Sequence, residues 1–346
     1  MGVFDYFKRD TVTVSKVIEL LGKGHSLFSL GKDIYSIPEI RTAVNFIAEK
    51  VATIPFYHIR ADTSGKSSVI NDRYQFVLNI RTNPMQSPFV FFTQLITRLL
   101  VANNCFAMPE WGDNGDLKWI YLLPFTCFQF DNGVDGKEYI TFTGNGGTYT
   151  FPYEDILHFQ RFPTERGGIK TQATGNYVKV VDAMQNQAVK DMENSGRLSA
   201  VLTTKVKLNS EHEKAKLKEF IETFKASENS TGLGMISGEY GITPLNIQSN
   251  ALDTKLLNEI TRSLYNYFGV STEIINGNAT EIQYEQFVDN TLKPIVKQIE
   301  QEFSYKLFSN TEIYHYNRIQ AELVDLEVSN LSSKTMFFDK MLYHGV

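Results

Sequence analysis

The sequence predicts an α+β fold on three grounds. Several separate stretches place apolar residues at three- and four-residue steps, the period of a half-buried helix. A central block from Cys105 to Gln160 instead alternates short aromatic and β-branched runs with Gly, Asn, Asp and Pro, as antiparallel hairpins do. Size and composition are the third ground: 346 residues with 42% hydrophobic side chains can bury one large core or two or three smaller ones. A mean hydropathy of −0.22 suits a soluble intracellular protein, and no apolar run approaches the ~18 residues of a membrane span. Cys105 and Cys127 are the only cysteines, too few for a disulfide framework, and both are expected as core thiols. The formal charge of −5 argues against a protein that grips nucleic acid electrostatically, though not against one past which nucleic acid slides.

Taken in order, the chain opens with Met1-Gly2, but Tyr6 stands where a myristoylation motif needs Ser or Thr. Val3, Phe4 and Phe7 read instead as an arm that docks on a neighbouring surface. Ser36 as cap, Pro38 in the first turn and Glu39 three residues on start a helix to Ala52, with Ile40, Val44, Ile47, Ala48 and Val51 as its buried stripe. Phe56 to Arg60 reads as a strand. Ser87-Pro88 opens a second helix through Phe92, Leu95, Ile96 and Leu99. The hairpin block that follows should form a mostly antiparallel sheet packed on these two helices. Pro163 to Gly175 is a polar, Gly-rich boundary.

Beyond it, Asn176 to Asn194 returns to helical spacing with a narrow stripe of Val178, Val181, Ala188 and Met192, which suits packing against copies of itself. Leu198 to Asn250 reads as a small α/β unit. Its strand candidates are 200–206, 234–237 and 242–247, and Ser210 with Glu213 makes a capping box for a charged helix to Ala226.

From Ala251 the signal is strongest. Leu252, Leu256, Leu257, Ile260, Leu264 and Phe268 line one helical face, ending at Gly269, a residue free to take positive φ. Ser271 to Ile282 is a polar connection with a turn at Asn276-Gly277-Asn278. Thr280 and Gln283 have capping-box spacing, and the helix they open runs along Phe287, Thr291, Ile295, Ile299, Phe303 and Leu307, about 37 Å at ~1.5 Å per residue. Pro294 lies inside it and cannot donate to the Asn290 carbonyl, so a kink is expected there.

Patterns that carry chemistry are sparse. There is no GxxxxGK[ST] phosphate loop, and Gly144-Asn145-Gly146-Gly147 opens no helix, so it reads as a hairpin turn. The six histidines are scattered, without HExxH or a cysteine pair for zinc. His158, in an apolar run, is expected as a hydrogen-bonded sheet histidine. Glu281, Glu285 and Asp289 fall at i, i+4 and i+8. A metal-dependent nuclease or hydrolase could use such carboxylates, although a single row on one helix more often faces solvent.

The order of these segments resembles that of tailed-bacteriophage portal proteins, the head–tail connectors of long-tailed phages. The likeness covers almost the whole chain. It is carried by MGVF, IRTAVNFIAEKVATIPFYHIR, LNIRTNPMQSPFVFFTQLITRLLVANNCFAMPEW, LKWIYLLPFTCFQF and YEDILHFQRF, and most strongly by SLYNYFGVSTEIING followed by EQFVDNTLKPIVKQIEQEF. Two departures stand out: Asn103-Asn104-Cys105 replaces a frequent Gly-Asn-Ala, and Ser271-Thr272 replaces Pro-Pro. With the sequence closing at His344-Gly345-Val346, a C-terminal crown is expected to be short or absent.

The resemblance implies a portal-type subunit in a ring, usually of twelve, at one capsid vertex. The expected map is an α/β wing at 1–173, a stem helix at 174–197, a clip at 198–250 and a second stem helix at 251–270. A tunnel loop follows at 271–282, and the long kinked helix returns to the wing and a short crown at 283–346. In this map Thr272, Glu273, Asn276, Gly277, Asn278 and Thr280 face the DNA channel. Val181, Met192, Leu256 and Ile260 pack the stem. Glu211, Lys214, Lys218 and Glu222 lie on the clip surface that docks partners.

The implied partners are further copies of the chain, double-stranded DNA in transit, the terminase large subunit, the major capsid protein and a head-completion adaptor. No membrane and no cofactor are implied. The place is the virion, and the host cytoplasm during assembly. The residues fit this map in two respects. The clip balances six lysines with six acidic residues, which suits reversible protein partners better than DNA. The twelve positions from Ser271 to Ile282 hold Glu273 and Glu281 but no Lys or Arg, a composition that does not hold phosphate. The rival readings are the nuclease and a capsid-associated scaffold without a channel.

Overall fold

The computed structural model describes residues 35, 37–61, 66–124, 127–144, 147–168, 200–204, 240–244 and 254–323, with isolated helical positions between 183 and 218. Two compact units emerge: 1–175 together with 261–346, and 176–260.

Among the described residues, the first element of the larger unit is helix α1 (Pro38–Ala52). All five expected stripe residues are buried, joined by Ala43 and Ala52. Its N-cap is Ile37 rather than Ser36, and no side chain caps it, because Pro38 itself takes the first helical position and has no N–H to satisfy. Strand β1 (Phe56–Ala61) follows, then β2 (Ser67–Val69) and the short helix α2 (Arg73–Asn79). Sequence reasoning passed over α2. Seven residues carry too little periodicity, yet Asp72 caps it by accepting from the Tyr74 and Gln75 amides at 3.0 and 3.3 Å. Helix α3 (Pro88–Ala102) starts as expected at Ser87, whose hydroxyl accepts from Val90 N–H. It packs along α1.

The hairpin block forms two three-stranded antiparallel sheets where one was expected. The first has the order β4 (Leu117–Leu122), β3 (Asn104–Trp111), β8 (Leu157–Gln160). The second is the meander β5 (Cys127–Asn132), β6 (Glu138–Gly144), β7 (Gly147–Pro152), and beyond them two short strands, β9 (Pro163–Thr164) and β10 (Gly167–Gly168), pair antiparallel. Gly144 pairs with Gly147, as a hairpin across the glycine-rich run requires. Phe106 from the first sheet packs edge-on against Phe128 and Phe142 of the second, at 4.8 and 4.9 Å. Cys105 is buried, but Cys127 is exposed at the start of an edge strand, so only one of the two expected core thiols is one.

In the stretch from 254, helix α4 (Thr254–Phe268) and the single turn α5 (Thr272–Ile275) precede α6 (Glu281–Phe287), a π-helical turn at Val288–Leu292 and α7 (Lys293–Leu307). Helix α8 (Asn310–Tyr314) and strand β13 (Asn317–Ala321) follow, and β13 returns to pair antiparallel with β1 in the order β13-β1-β2. The disturbance expected at Pro294 takes the form of the π turn: Lys293 N–H bonds Val288 O, five residues back. A proline at 294 supplies no N–H to the preceding turn and its ring crowds the carbonyl there, and widening the helix by one residue relieves both.

The extra residue also moves the buried line. Phe287, Val288, Leu292, Val296, Ile299, Phe303 and Leu307 are buried, while Thr291 and Ile295 slip to its margin, which corrects the uninterrupted line expected from the sequence. Phe303 sits among Phe56, Phe92 and Phe159 at 5.8–6.4 Å, so α7 closes the core formed by β1, α3 and β8.

Helix α7 also covers two sheet edges with polar side chains. Gln298 accepts from Gln160 N–H and donates to Gln160 O, at 3.0 and 2.9 Å, and Glu302 accepts from His158 N–H at 2.9 Å. These i, i+4 side chains satisfy the open side of edge strand β8. On another side of α7, Ser304 accepts from Ile319 N–H and Glu300 from Ala321 N–H, at 2.9 and 2.8 Å, which does the same for edge strand β13.

In the smaller unit, β11 (Ala200–Thr204) and β12 (Tyr240–Pro244) pair antiparallel, with Ala200 opposite Pro244. The strand expected at 242–247 thus starts two residues earlier, at Tyr240, and 245–247 lie outside the described residues. The strand candidate at 234–237 lies outside the described residues. Ala183, Asn186 and Lys190 are helical and exposed, as are Glu211, Lys214, Ala215 and Lys218.

Candidate functional site: the 269–280 connection and its supports

The connection between α4 and α6 is built from both ends. Helix α4 stops in a Schellman arrangement, with Val270 N–H to Tyr265 O at 3.1 Å and Gly269 N–H to Asn266 O at 3.0 Å. Gly269 has φ +83°, and a Cβ there would lie 2.7 Å from Thr291 Oγ1. That hydroxyl donates to Gly269 O at 2.6 Å. The π turn that displaced Thr291 from the buried line is therefore what brings it to the helix end.

A second clamp comes from Arg161. Its guanidinium donates to Tyr267 O at 2.6 Å and to Leu100 O at 3.3 Å, so one cation serves the C-terminal carbonyls of both α4 and α3. It also lies 4.9 Å from the Tyr267 ring centre and 5.3 Å from that of Phe268. Burial pulls its pKa down, with Tyr267 opposing.

The support behind Arg161 is a neutral network. Asn103 takes a left-handed φ of 57° at the C-cap of α3, a conformation asparagine tolerates and glycine favours. Asn104 Oδ1 accepts from Gly168 N–H at 2.7 Å and from His158 Nε2 at 3.0 Å, while its Nδ2 donates to Gly168 O at 3.1 Å. His158 Nδ1 then accepts from Tyr153 Oη at 3.1 Å. Every polar contact fits the neutral imidazole, and burial, helped by nearby Lys306, lowers its pKa to about 3. The expected sheet histidine is thus a structural one. Gly168 is required by space: a Cβ would lie 2.2 Å from Asn103 O.

The connection itself holds more structure than a polar loop. Ser271 caps α5, Ile274 is buried, and Gly277 turns the chain at φ +75° before Thr280 and Gln283 close the expected capping box. Glu273, Asn276, Gly277, Asn278 and Thr280 are exposed and Thr272 is half-buried, so the six residues share one short surface segment. The Glu273 carboxyl is held below its ordinary range by its own backbone N–H, then by the Ser271 hydroxyl, and stays ionised. The surface is polar and anionic.

The other expected sites are not gathered here. Ile260 is buried; Leu256 is helical, but its side chain lies outside the described residues, as do Val181, Met192 and Glu222. Glu281, Glu285 and Asp289 are all exposed, and Asp289 pairs with Lys293 at 2.6 Å. Among the described residues no three His, Cys, Asp or Glu side chains gather to hold a metal ion. Arg161 and Thr291 were not foreseen. Thr291 had a signal, a hydroxyl standing in an apolar line. Arg161 had none, because its partners are 61 and 106 residues away.

Solved structures share this fold. The chain is similar to the neck of an empty gene transfer agent particle computed with C6 symmetry, at TM-score 0.69 and 17% identity over 95% of this chain and 93% of that one. It is similar to the native neck computed with C12 symmetry, at TM-score 0.67 and 16% identity over 96% and 95%. It also resembles the crystal structure of an HK97-family phage portal protein from Corynebacterium diphtheriae, at TM-score 0.52 and 13% identity over 86% and 96%. No curated protein matches. The phage portal protein family model matches residues 38–346, and the chain belongs to that family.

Proposed function

We propose that this chain assembles into a closed ring, of twelve copies, that conducts double-stranded DNA at a capsid vertex of the virion, after assembly in the host cytoplasm. Membership of the portal family over residues 38–346 carries the reading. The likeness to a neck computed with C12 symmetry supports the subunit number. The connection at 271–282 is the channel-lining segment. Its polar residues Glu273, Asn276, Asn278 and Thr280 are exposed, it is anchored at both ends, and it is free of cations, so passing phosphates meet polar groups and carboxylates that do not hold them. Residues 1–173 form the wing, 174–197 and 251–270 the stem, 198–250 the clip and 283–346 the returning helix and short crown. The clip, with exposed Glu211, Lys214 and Lys218, docks the terminase large subunit and a head-completion adaptor, and the wing meets the major capsid protein.

Asn276→Lys tests the channel assignment. The ring should form, seen as a pore by electron microscopy, and DNA packaging should slow, most at low salt where screening is weak. Parental packaging rates at every salt concentration would remove this segment from the DNA path. Purified protein that forms no ring would overturn the conduit reading itself.

A further inference from the structure

In the larger unit, where β1 meets β13, His58 of β1 is 4% exposed. Its Nδ1 lies 2.6 Å from Asp72 Oδ2 and its Nε2 3.0 Å from Asn317 Oδ1. Asn317 cannot present its amide nitrogen to the ring instead, because that nitrogen donates to Glu312 O at 2.8 Å. Asp72 is equally committed: its Oδ1 accepts two amides as the N-cap of α2. Both ring nitrogens therefore face acceptors, and only the doubly protonated imidazolium offers a donor to each. His158 is the counterexample in the same unit, with one donor and one acceptor fitted to a neutral ring.

We infer that His58 is a proton-operated latch: as the imidazolium it fastens β13 to β1 and to the cap of α2, and on losing a proton it leaves one buried acceptor without a donor and loosens β13. The groups around it come from every element packed there. Asp72 and the Tyr74 ring, 5.5 Å away, lie on the α2 side, and the Phe308 ring is 4.7 Å away after α7. Arg60, Glu312 and His315 line the adjoining cleft. The Glu312 carboxylate is occupied by the Ser309 amide and hydroxyl. Tyr74 donates to Leu307 O, and burial, with Glu312 and Asp72 adding to it, pushes its phenol far above the ordinary range, so it does not titrate alongside. The folded geometry holds the protonated ring. The latch is therefore closed while the ring carries both protons and opens when rising pH removes one.

Hydrogen exchange followed by mass spectrometry on the full chain tests this, at about pH 5.5 and about pH 8, with rates corrected for intrinsic exchange. Peptides covering 56–61 and 317–321 should lose about tenfold of their protection at the higher pH, the scale of one buried polar group left unsatisfied. Peptides over 104–111 should not follow. His58→Gln, whose amide does not titrate, should show equal corrected protection at both values. Equal protection of the parent at both values, or the same difference persisting in His58→Gln, overturns the latch. Should His58→Gln not fold, Asp72→Asn keeps an oxygen for the α2 cap while removing the charge. Its amide N–H then faces Nδ1 and fits the neutral ring, so the loss of protection at the higher pH should vanish, and a loss as large as the parent's overturns the proposal.

Discussion

Gly269→Ala probes the join between α4 and the 271–282 connection at one atom. Two costs add. At φ +83° a Cβ meets the backbone, for about 1–2 kcal/mol. The same Cβ lies 2.7 Å from Thr291 Oγ1, which is already bound to Gly269 O at 2.6 Å. Thr291 must then turn away and lose that bond, a further loss of about 0.5–1.5 kcal/mol. The sum, about 1.5–3.5 kcal/mol, corresponds to a fall in Tm of roughly 3–7 °C at ~2 °C per kcal/mol for a unit of this size. Thermal unfolding monitored by circular dichroism at one fixed protein concentration reads it. Thr291→Ala alone should cost only the bond. The double variant should be no less stable than Gly269→Ala, a non-additivity of about 1 kcal/mol, because the second change removes a bond already lost. Strictly additive losses, or a Gly269→Ala protein that melts with the parent, would refute the coupling of the π turn to the helix end.

Arg161→Gln keeps one donor but withdraws the charge shared by the α3 and α4 ends, and should lower stability by about 2–4 kcal/mol, read by the same melts. His158 gives a pH dependence of its own. Its pKa is depressed in the folded state, so the unfolded chain binds the extra proton, and stability is lost as pH falls below ~6.5 towards about 3. Denaturant titrations from pH 7 to 4 should show the parent losing about 1.4 kcal/mol per unit more than His158→Gln. Parallel pH profiles would contradict the neutral network around Asn104.

The sequence by itself determined the elements whose cause is local. The stripe of α1, the cap at Ser87, the stop at Gly269 and the capping box at Thr280 each depend on residues within a few positions, so spacing alone reveals them. The hairpin at 144–147 is local in the same sense, and so is the lack of cations across 271–282. The ordered set of motifs also carried the family. What tertiary structure decided are matters of phase and distance. Pro294 announced a disturbance, but only packing chose a π turn, which moved Leu292 and Val296 inward and released Thr291 to hold Gly269. Helix α2 was invisible because seven residues hold too little pattern, and its cap serves a histidine 14 residues back. Cys127 looked apolar in context yet starts an edge strand, since burial depends on which sheet a strand joins. Arg161, and the edge-covering row Gln298, Glu300, Glu302 and Ser304, read as ordinary polar residues of a helix or strand. Their partners are distant in sequence, and a backbone N–H left open at a sheet edge leaves no mark on the side chain that will satisfy it.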